Sequence, residues 1–196
     1  MLTLYTDTPF SRAIVALFTE LQAGIDLEYP ALAAGQVKVY MFGGAAVHLY
    51  TQTHQISKDV DVEFNTHLRI DTDIVVAYRD ADDIPRTLVL DTRFQPTLGL
   101  LHPDYRQDAV EFLHVPDASL WSYLASPVDL ALSKLVRFHA GDQQDLAQLA
   151  QQRLFTLQAF TRRVEEALPY FVGHTQMLTY NIRDAQALIS DVTKEQ

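Results

Sequence analysis

The apolar run Val37 to Phe42, VKVYMF, stops at two consecutive glycines, Gly43 and Gly44, and the chain then returns as the strictly alternating Asp59 to Phe64, DVDVEF. The first run is short, β-branched and aromatic, which reads as a buried strand. Two adjacent glycines break it. Residues 45–52, AAVHLYTQ, read as a short helix, and DVDVEF reads as a second strand with its aspartates on one face and its valines on the other. Strand, diglycine turn, helix and strand in that order point to a sheet covered by helices.

The flanking sequence extends that reading. Thr8 and Pro9 open a helix, as N-cap and first helical residue, and Phe10, Ile14, Leu17, Phe18 and Leu21 recur at helical spacing up to Gly24. DIVVAY, Asp73 to Tyr78, is a third extended segment or a helix end. Residues 79–108 are crowded with turn signals at Asp82-Asp83, Pro85, Pro96 and Pro103 and take no single assignment. AVEFLHV, Ala109 to Val115, alternates as a strand. After Pro116 the character changes. Ser126-Pro127-Val128-Asp129 starts a helix that Gly141 is expected to stop, and Asp142 caps the next, through about Gln152. Thr156–Leu168 and roughly Thr175–Asp191 follow as helices. The fold class expected is α/β (α+β): a small mixed sheet with flanking helices over residues 1–116, then a helical bundle over 117–196.

The chain has 196 residues, enough to bury a core without staples. It contains no cysteine, which excludes thiol catalysis, cysteine-based zinc sites and disulfides. No basic region precedes the first apolar positions, so a signal peptide is not expected. No apolar run reaches the roughly 18 residues of a membrane span, and a cytoplasmic location without membrane association is the expectation. The net charge of −10 repels phosphate backbones, which argues against broad coating of nucleic acid.

Chemistry concentrates between Gly43 and Asp61. Asp59 and Asp61 stand two apart on one strand, so their carboxylates share a face about 7 Å apart along the chain. Like charges so placed repel unless a cation sits between them. Mg²⁺, with Mn²⁺ as the alternative, suits oxygen ligands and keeps positions for phosphate. A diglycine turn entering a helix lets backbone N–H groups approach a phosphate. A phosphate cradle facing a dicarboxylate is what nucleotidyl transfer needs.

The segment GGAAVHLYTQTHQISKDVDVEF resembles the signature of the nucleotidyltransferase superfamily related to DNA polymerase β, and within it the AbiEii-type and minimal nucleotidyltransferase branch. The matching positions are Gly43, Gly44, Ala46, His48, Ser57, Asp59 and Asp61. SPVDLALSKLVRFHAGDQQDLAQL resembles a second segment of that branch through Asp129, Leu130, Lys134, Leu135, Asp142, Asp145 and Leu146. The resemblance implies a polymerase-β-like core and Mg²⁺-dependent transfer of a nucleoside monophosphate from an NTP to an acceptor. In that scheme Asp59 and Asp61 hold metal, Gly43, Gly44, Ser57, Lys134 and Asp145 bind the nucleotide, Lys134 reaches its phosphates, and Asp142 and Asp145 orient Lys134 or act as a base. Glu111, on the AVEFLHV strand, is taken as the third carboxylate, completing the metal set and activating the acceptor hydroxyl, with Asp108 as runner-up. Gln55 stands where the branch carries arginine, and Gly43-Gly44 replaces the Gly-Ser of many members.

Other candidates have simpler readings. His48, His54 and His139 match no zinc spacing, and His48 reads as a packing residue. Lys58 is expected on the face opposite Asp59, as a surface charge. Arg162-Arg163 reads as a solvated basic pair, and Asp142 as a helix cap. Gln55 and the uncertain third carboxylate keep open a catalytically decayed nucleotide-binding or protein-interaction module on the same scaffold. The resemblance also keeps open a toxin–antitoxin or phage-defence component, with a small protein partner encoded nearby that the acidic charge would steer. The acceptor, RNA or protein among the options, is not fixed by the sequence, and no basic cleft for RNA is evident in it.

Overall fold

The structure, a computed structural model, describes residues 2–53, 57–70, 73–95 and 98–194. It divides into two compact units: Met1–Phe94 with Ala109–Leu124, and Gln95–Asp108 with Ala125–Gln196. Among the described residues, no helix is long and apolar enough to cross a membrane.

The first unit opens with helix α1, Pro9–Glu28. Thr8 caps it, its hydroxyl accepting from the Ser11 N–H at 3.0 Å. The apolar stripe through Phe10, Ile14, Leu17, Phe18 and Leu21 is buried as its spacing predicts. The helix does not end at Gly24: a Cβ at Gly24 would meet nothing, and Ile25, one residue on, is buried and carries the stripe another turn. The loss of helix propensity at one glycine, about 1 kcal/mol, is smaller than the gain from burying isoleucine.

Strand β1, Val37–Met41, runs into helix α2, Gly43–Thr51, and β2 covers Asp59–Phe64. The remaining strands are β3 (Val75–Arg79), β4 (Pro85–Asp91), β5 (Val110–Leu113) and β6 (Leu120–Leu124). They form one mixed sheet in the order β3-β4-β2-β1-β6-β5. β1 pairs antiparallel with β2 and parallel with β6, and β2 pairs parallel with β4. Two hairpin-like antiparallel pairs, β3 with β4 and β5 with β6, complete it. Val39, Met41, Val60, Val62 and Leu88 are fully buried on one face. α1 packs on β3 and β4, and α2 on β2.

Two strands differ from the sequence reading. β4 lies in the stretch that took no assignment; its proline occupies the first strand residue, where a missing N–H is tolerated. β6 lies beyond residue 116, where only helices were expected, so the sheet unit does not end there. Its polar centre hid it. Ser122 is buried and its hydroxyl accepts from the Leu113 N–H at 3.1 Å and donates to Leu113 O at 3.2 Å, filling an irregularity in β5.

The second unit holds α3 (Pro127–Ser133), α4 (Ala140–Gln151), α5 (Leu157–Ala167) and α6 (Thr175–Lys194), which pack on one another. Ser126 caps α3 as expected, accepting from the Asp129 N–H. α3 ends at Ser133, not Gly141, and Gly141 lies inside the first turn of α4. The Phe138 backbone has φ 48°, which reverses the chain, and His139 is the N-cap. Asp142 is therefore three residues into α4 instead of at its cap, and its carboxylate accepts from the His139 N–H at 3.0 Å.

Candidate functional site

The site begins at the turn between β1 and α2. Gly43 has φ 69°, in the left-handed region that glycine enters freely. A Cβ there would run into the Asp61 carboxylate. The approach follows from register: β1 and β2 are antiparallel, and the Phe42 N–H donates to Asp61 O at 2.9 Å, which sets the next residue against the aspartate. Gly44 faces Ser57, whose Cβ lies 3.6 Å from where a Cβ on Gly44 would stand. Ser57 in turn donates its hydroxyl to Asp59 Oδ1 at 2.8 Å. Gly43, Gly44, Ser57, Asp59 and Asp61 are thus one cluster, joined residue to residue. Asp59 is exposed and Asp61 half-buried.

The first turn of α2 has no side-chain cap, because its N-cap residue is Phe42. A helix start of this kind favours an anion. Against it stand two carboxylates on the same face of β2, whose hard oxygen donors and open side fit a divalent cation that takes its other ligands from water and phosphate. Among the described residues no group of three or more His, Asp or Glu side chains is gathered closely enough to hold a metal unaided.

A third carboxylate does stand beside the pair, and it is not Glu111. Asp91, the last residue of β4, is level with Asp61 in the parallel β2–β4 register, one strand spacing away and on the same face. Arg93 holds it, donating from Nε to Oδ1 at 3.0 Å, from its terminal nitrogen to Oδ2 at 3.1 Å and from its backbone N–H at 2.8 Å. These bonds, the side-chain ones first, keep the Asp91 carboxyl below the usual carboxylate range. Arg93 also lies within electrostatic reach of Asp73 and Asp59, and its side chain is 88% exposed. Asp91 went unread because its segment, TLVLD, gives only an apolar strand ending in an acid; parallel pairing of distant segments puts that acid beside Asp61.

Glu111 belongs to β5, at the far edge of the sheet. It shares the face of Asp61, but β1 and β6 intervene, a separation of about 14 Å at ordinary strand spacing. Its carboxylate faces His114 Nδ1 at 3.1 Å. The runner-up, Asp108, is in the second unit, 2.8 Å from Arg163. Gln55 and His54 lie outside the described residues.

His48 is buried in packing, as read from the sequence. Its Nε2 lies 2.8 Å from Thr8 Oγ1 and its Nδ1 2.7 Å from Thr53 O, with Phe10 edge-on against the ring.

Lys134 and Asp145 are in the second unit and form a buried ion pair, Nζ to Oδ2 at 2.6 Å, with Asp142 Oδ1 3.9 Å from the same ammonium. Arg137 grips Asp142 through two bonds of 2.9 Å. Burial alone would raise the Asp142 carboxyl, but the Arg137 bonds, the His139 N–H and the Arg137 and Lys134 charges outweigh it and hold it low. Arg163 is not the solvated residue its sequence neighbourhood suggests. It donates to both oxygens of the fully buried Asp129 at 2.8 Å, while Arg162 stays in solvent.

Residues 24–183 match the family described as "Nucleotidyltransferase of unknown function (DUF6036)", and the chain belongs to that family and so to the nucleotidyltransferase superfamily. Among solved structures it is similar to an antigenic nucleotidyltransferase-like protein from Paracoccidioides brasiliensis, at 15% identity and a TM-score of 0.43 over 94% of this chain and 93% of that one. It is also similar to JHP933 from Helicobacter pylori, at 15% identity and a TM-score of 0.40, over the same shares. No curated protein matches the sequence.

Proposed function

We propose that the protein transfers a nucleoside monophosphate from an NTP to an acceptor hydroxyl, with the reaction centred on Asp59, Asp61 and Asp91. Mg²⁺, when bound by Asp59 and Asp61, would supply charge neutralisation for the triphosphate. The observation that carries the reading is the contact of Gly43 with the Asp61 carboxylate, since it sets a side-chain-free helix start against the acidic pair. Gly43 and Gly44 let phosphate oxygens approach the backbone N–H groups of the first α2 turn, and Ser57 orients Asp59. The acceptor oxygen forms a bond to the α-phosphorus, the bond to the bridging oxygen breaks, and pyrophosphate leaves. The hydroxyl proton passes to the Asp91 carboxylate. Arg93 must swing aside for that transfer, and its exposure makes the ion pair weak enough to open. The reading rests on first-unit residues alone; Lys134 and Asp145 serve the second unit as a buried pair.

Calorimetric titration with each of the four NTPs in Mg²⁺ tests the proposal. The native protein is expected to bind at least one NTP, and Asp59→Asn/Asp61→Asn to lose Mg²⁺-dependent binding about tenfold or more, the scale of one lost charged contact. Absence of binding to the native chain, or equal binding by the double variant, would overturn it.

A further inference from the structure

The carboxylate row carries its own cation. Asp59, Asp61 and Asp91 share one face of β2 and β4. Arg93 reaches back two residues and holds Asp91 through both carboxylate oxygens, at 3.0 and 3.1 Å. Its charge also acts on Asp73 and Asp59. A guanidinium thus offsets the repulsion among acids that would otherwise call for a bound ion.

Two features separate this pair from an ordinary surface salt bridge. The backbone of its turn is anchored, because the Arg93 N–H donates to Asp91 Oδ1 at 2.8 Å and the next residue, Phe94, stacks on Phe42 with ring centroids 4.7 Å apart. Phe42 is the N-cap of α2, immediately before Gly43. The β1–β2 register, continued one residue past Met41 and Val62, sets Phe42 opposite Asp61 and on its face, and the Phe42 N–H donates to Asp61 O. β2 lies between β4 and β1 in the sheet. A turn that leaves β4 and packs on Phe42 therefore crosses the face that carries Asp59 and Asp61. The side chain is the second feature. That of Arg93 is 88% exposed, so its guanidinium can change partners at small cost.

The paired oxygens of a phosphate suit a guanidinium as well as those of a carboxylate do. A divalent ion at Asp59 and Asp61 is repelled by the Arg93 charge. A triphosphate changes that balance, because it brings oxygens that draw the guanidinium off Asp91. We propose, resting on the nucleotidyl-transfer reading, that Arg93 is a phosphate-binding residue stored on Asp91: it neutralises the carboxylate row without nucleotide and moves to a phosphate oxygen when Mg²⁺–NTP enters. The exchange frees Asp91 to take the acceptor proton, so the base is uncovered only once the triphosphate is in place.

Two titrations of the full chain test the exchange: Mn²⁺ alone, followed by the paramagnetic resonance of the free ion, and each Mg²⁺–NTP, followed by calorimetry. Arg93→Ala is expected to tighten Mn²⁺ about tenfold, since one repelling charge is lost and Asp91 is released. The same variant is expected to weaken Mg²⁺–NTP about tenfold or more, the scale of a lost charge-assisted bond. Arg93→Lys keeps the charge and loses the fork, and is expected to bind Mn²⁺ within about twofold of the native chain while weakening Mg²⁺–NTP less than Arg93→Ala does. Melting temperatures of both variants should match the native value, as the side chain is exposed. Adding Asp59→Asn/Asp61→Asn to Arg93→Ala is expected to abolish the Mn²⁺ gain. Opposite signs for metal and nucleotide mark the exchange, whereas a residue that only steadied the turn would move both the same way. Mn²⁺ binding that Arg93→Ala leaves unchanged or weakens overturns the proposal. Unchanged Mg²⁺–NTP binding in a variant whose native parent binds NTP overturns it too, and leaves the transferase reading standing. A native chain that binds no NTP overturns the move to phosphate together with that reading; a Mn²⁺ gain in Arg93→Ala would then support only its part as counter-ion of the row.

Discussion

At Gly43 a single hydrogen atom in place of a side chain decides whether the site exists. Its left-handed φ and the Asp61 carboxylate beside its Cα exclude any other residue without rearrangement. Gly43→Ala is expected to lower stability by about 1–3 kcal/mol through backbone strain, and to abolish NTP binding. Gly44→Ala introduces only an ordinary contact with Ser57, so urea denaturation should show it folded near native stability. Asp91 offers a second test. Its carboxyl is held low by Arg93, so it is ionised, and able to accept a proton, across neutral pH. Arg93→Ala removes the largest lowering influence and raises that carboxyl towards its ordinary value. The acid limb of the pH profile of kcat/KM is therefore expected to move to higher pH in Arg93→Ala and to stay in place in Arg12→Ala, an arginine on α1. A limb that does not move would detach Asp91 from the proton transfer.

Between elements, buried charge is distributed with its partners in place. Asp129 is fully buried and its partner Arg163 comes from another helix. Arg163→Met would strand that carboxylate, and a loss of about 3–5 kcal/mol in urea-derived stability is expected. Asp142 gives a pH dependence with a definite sign. Its folded carboxyl lies below the unfolded value, so its contribution is present above about pH 4 and is lost as pH falls through the folded value. An Asp142→Asn chain should accordingly lose less stability than the native one between pH 5 and acid. Neither arrangement could be read from sequence alone. Ser126-Pro127 announced its helix, because caps are local, and Asp59 and Asp61 declared a shared face, because alternation is local. Arg163 against Asp129, Asp91 beside Asp61, and β6 next to β1 are each made by segments far apart in the chain. Periodicity and spacing carry no information about such pairings, and so the sequence points to Glu111, on an evident strand, with Asp108 as runner-up, and says nothing of Asp91.

For the whole molecule, the placement of β6 sets the limit of the sheet. β6 pairs with β1 along Val37–Met41 and carries β5 on its other edge. A fragment of residues 1–116 would leave one edge of β1 bare and β5 without its neighbour. It is expected to show no cooperative thermal transition, whereas 1–124, with every strand, should keep strand-type circular dichroism. The route of the backbone has a wider consequence. The chain leaves the first unit after Phe94, re-enters it at Ala109 and leaves it again after Leu124. Neither unit is a cassette that one splice could graft onto another protein: any chimera must carry both excursions or interrupt a unit, so recombination at a single junction has no product with two whole parts.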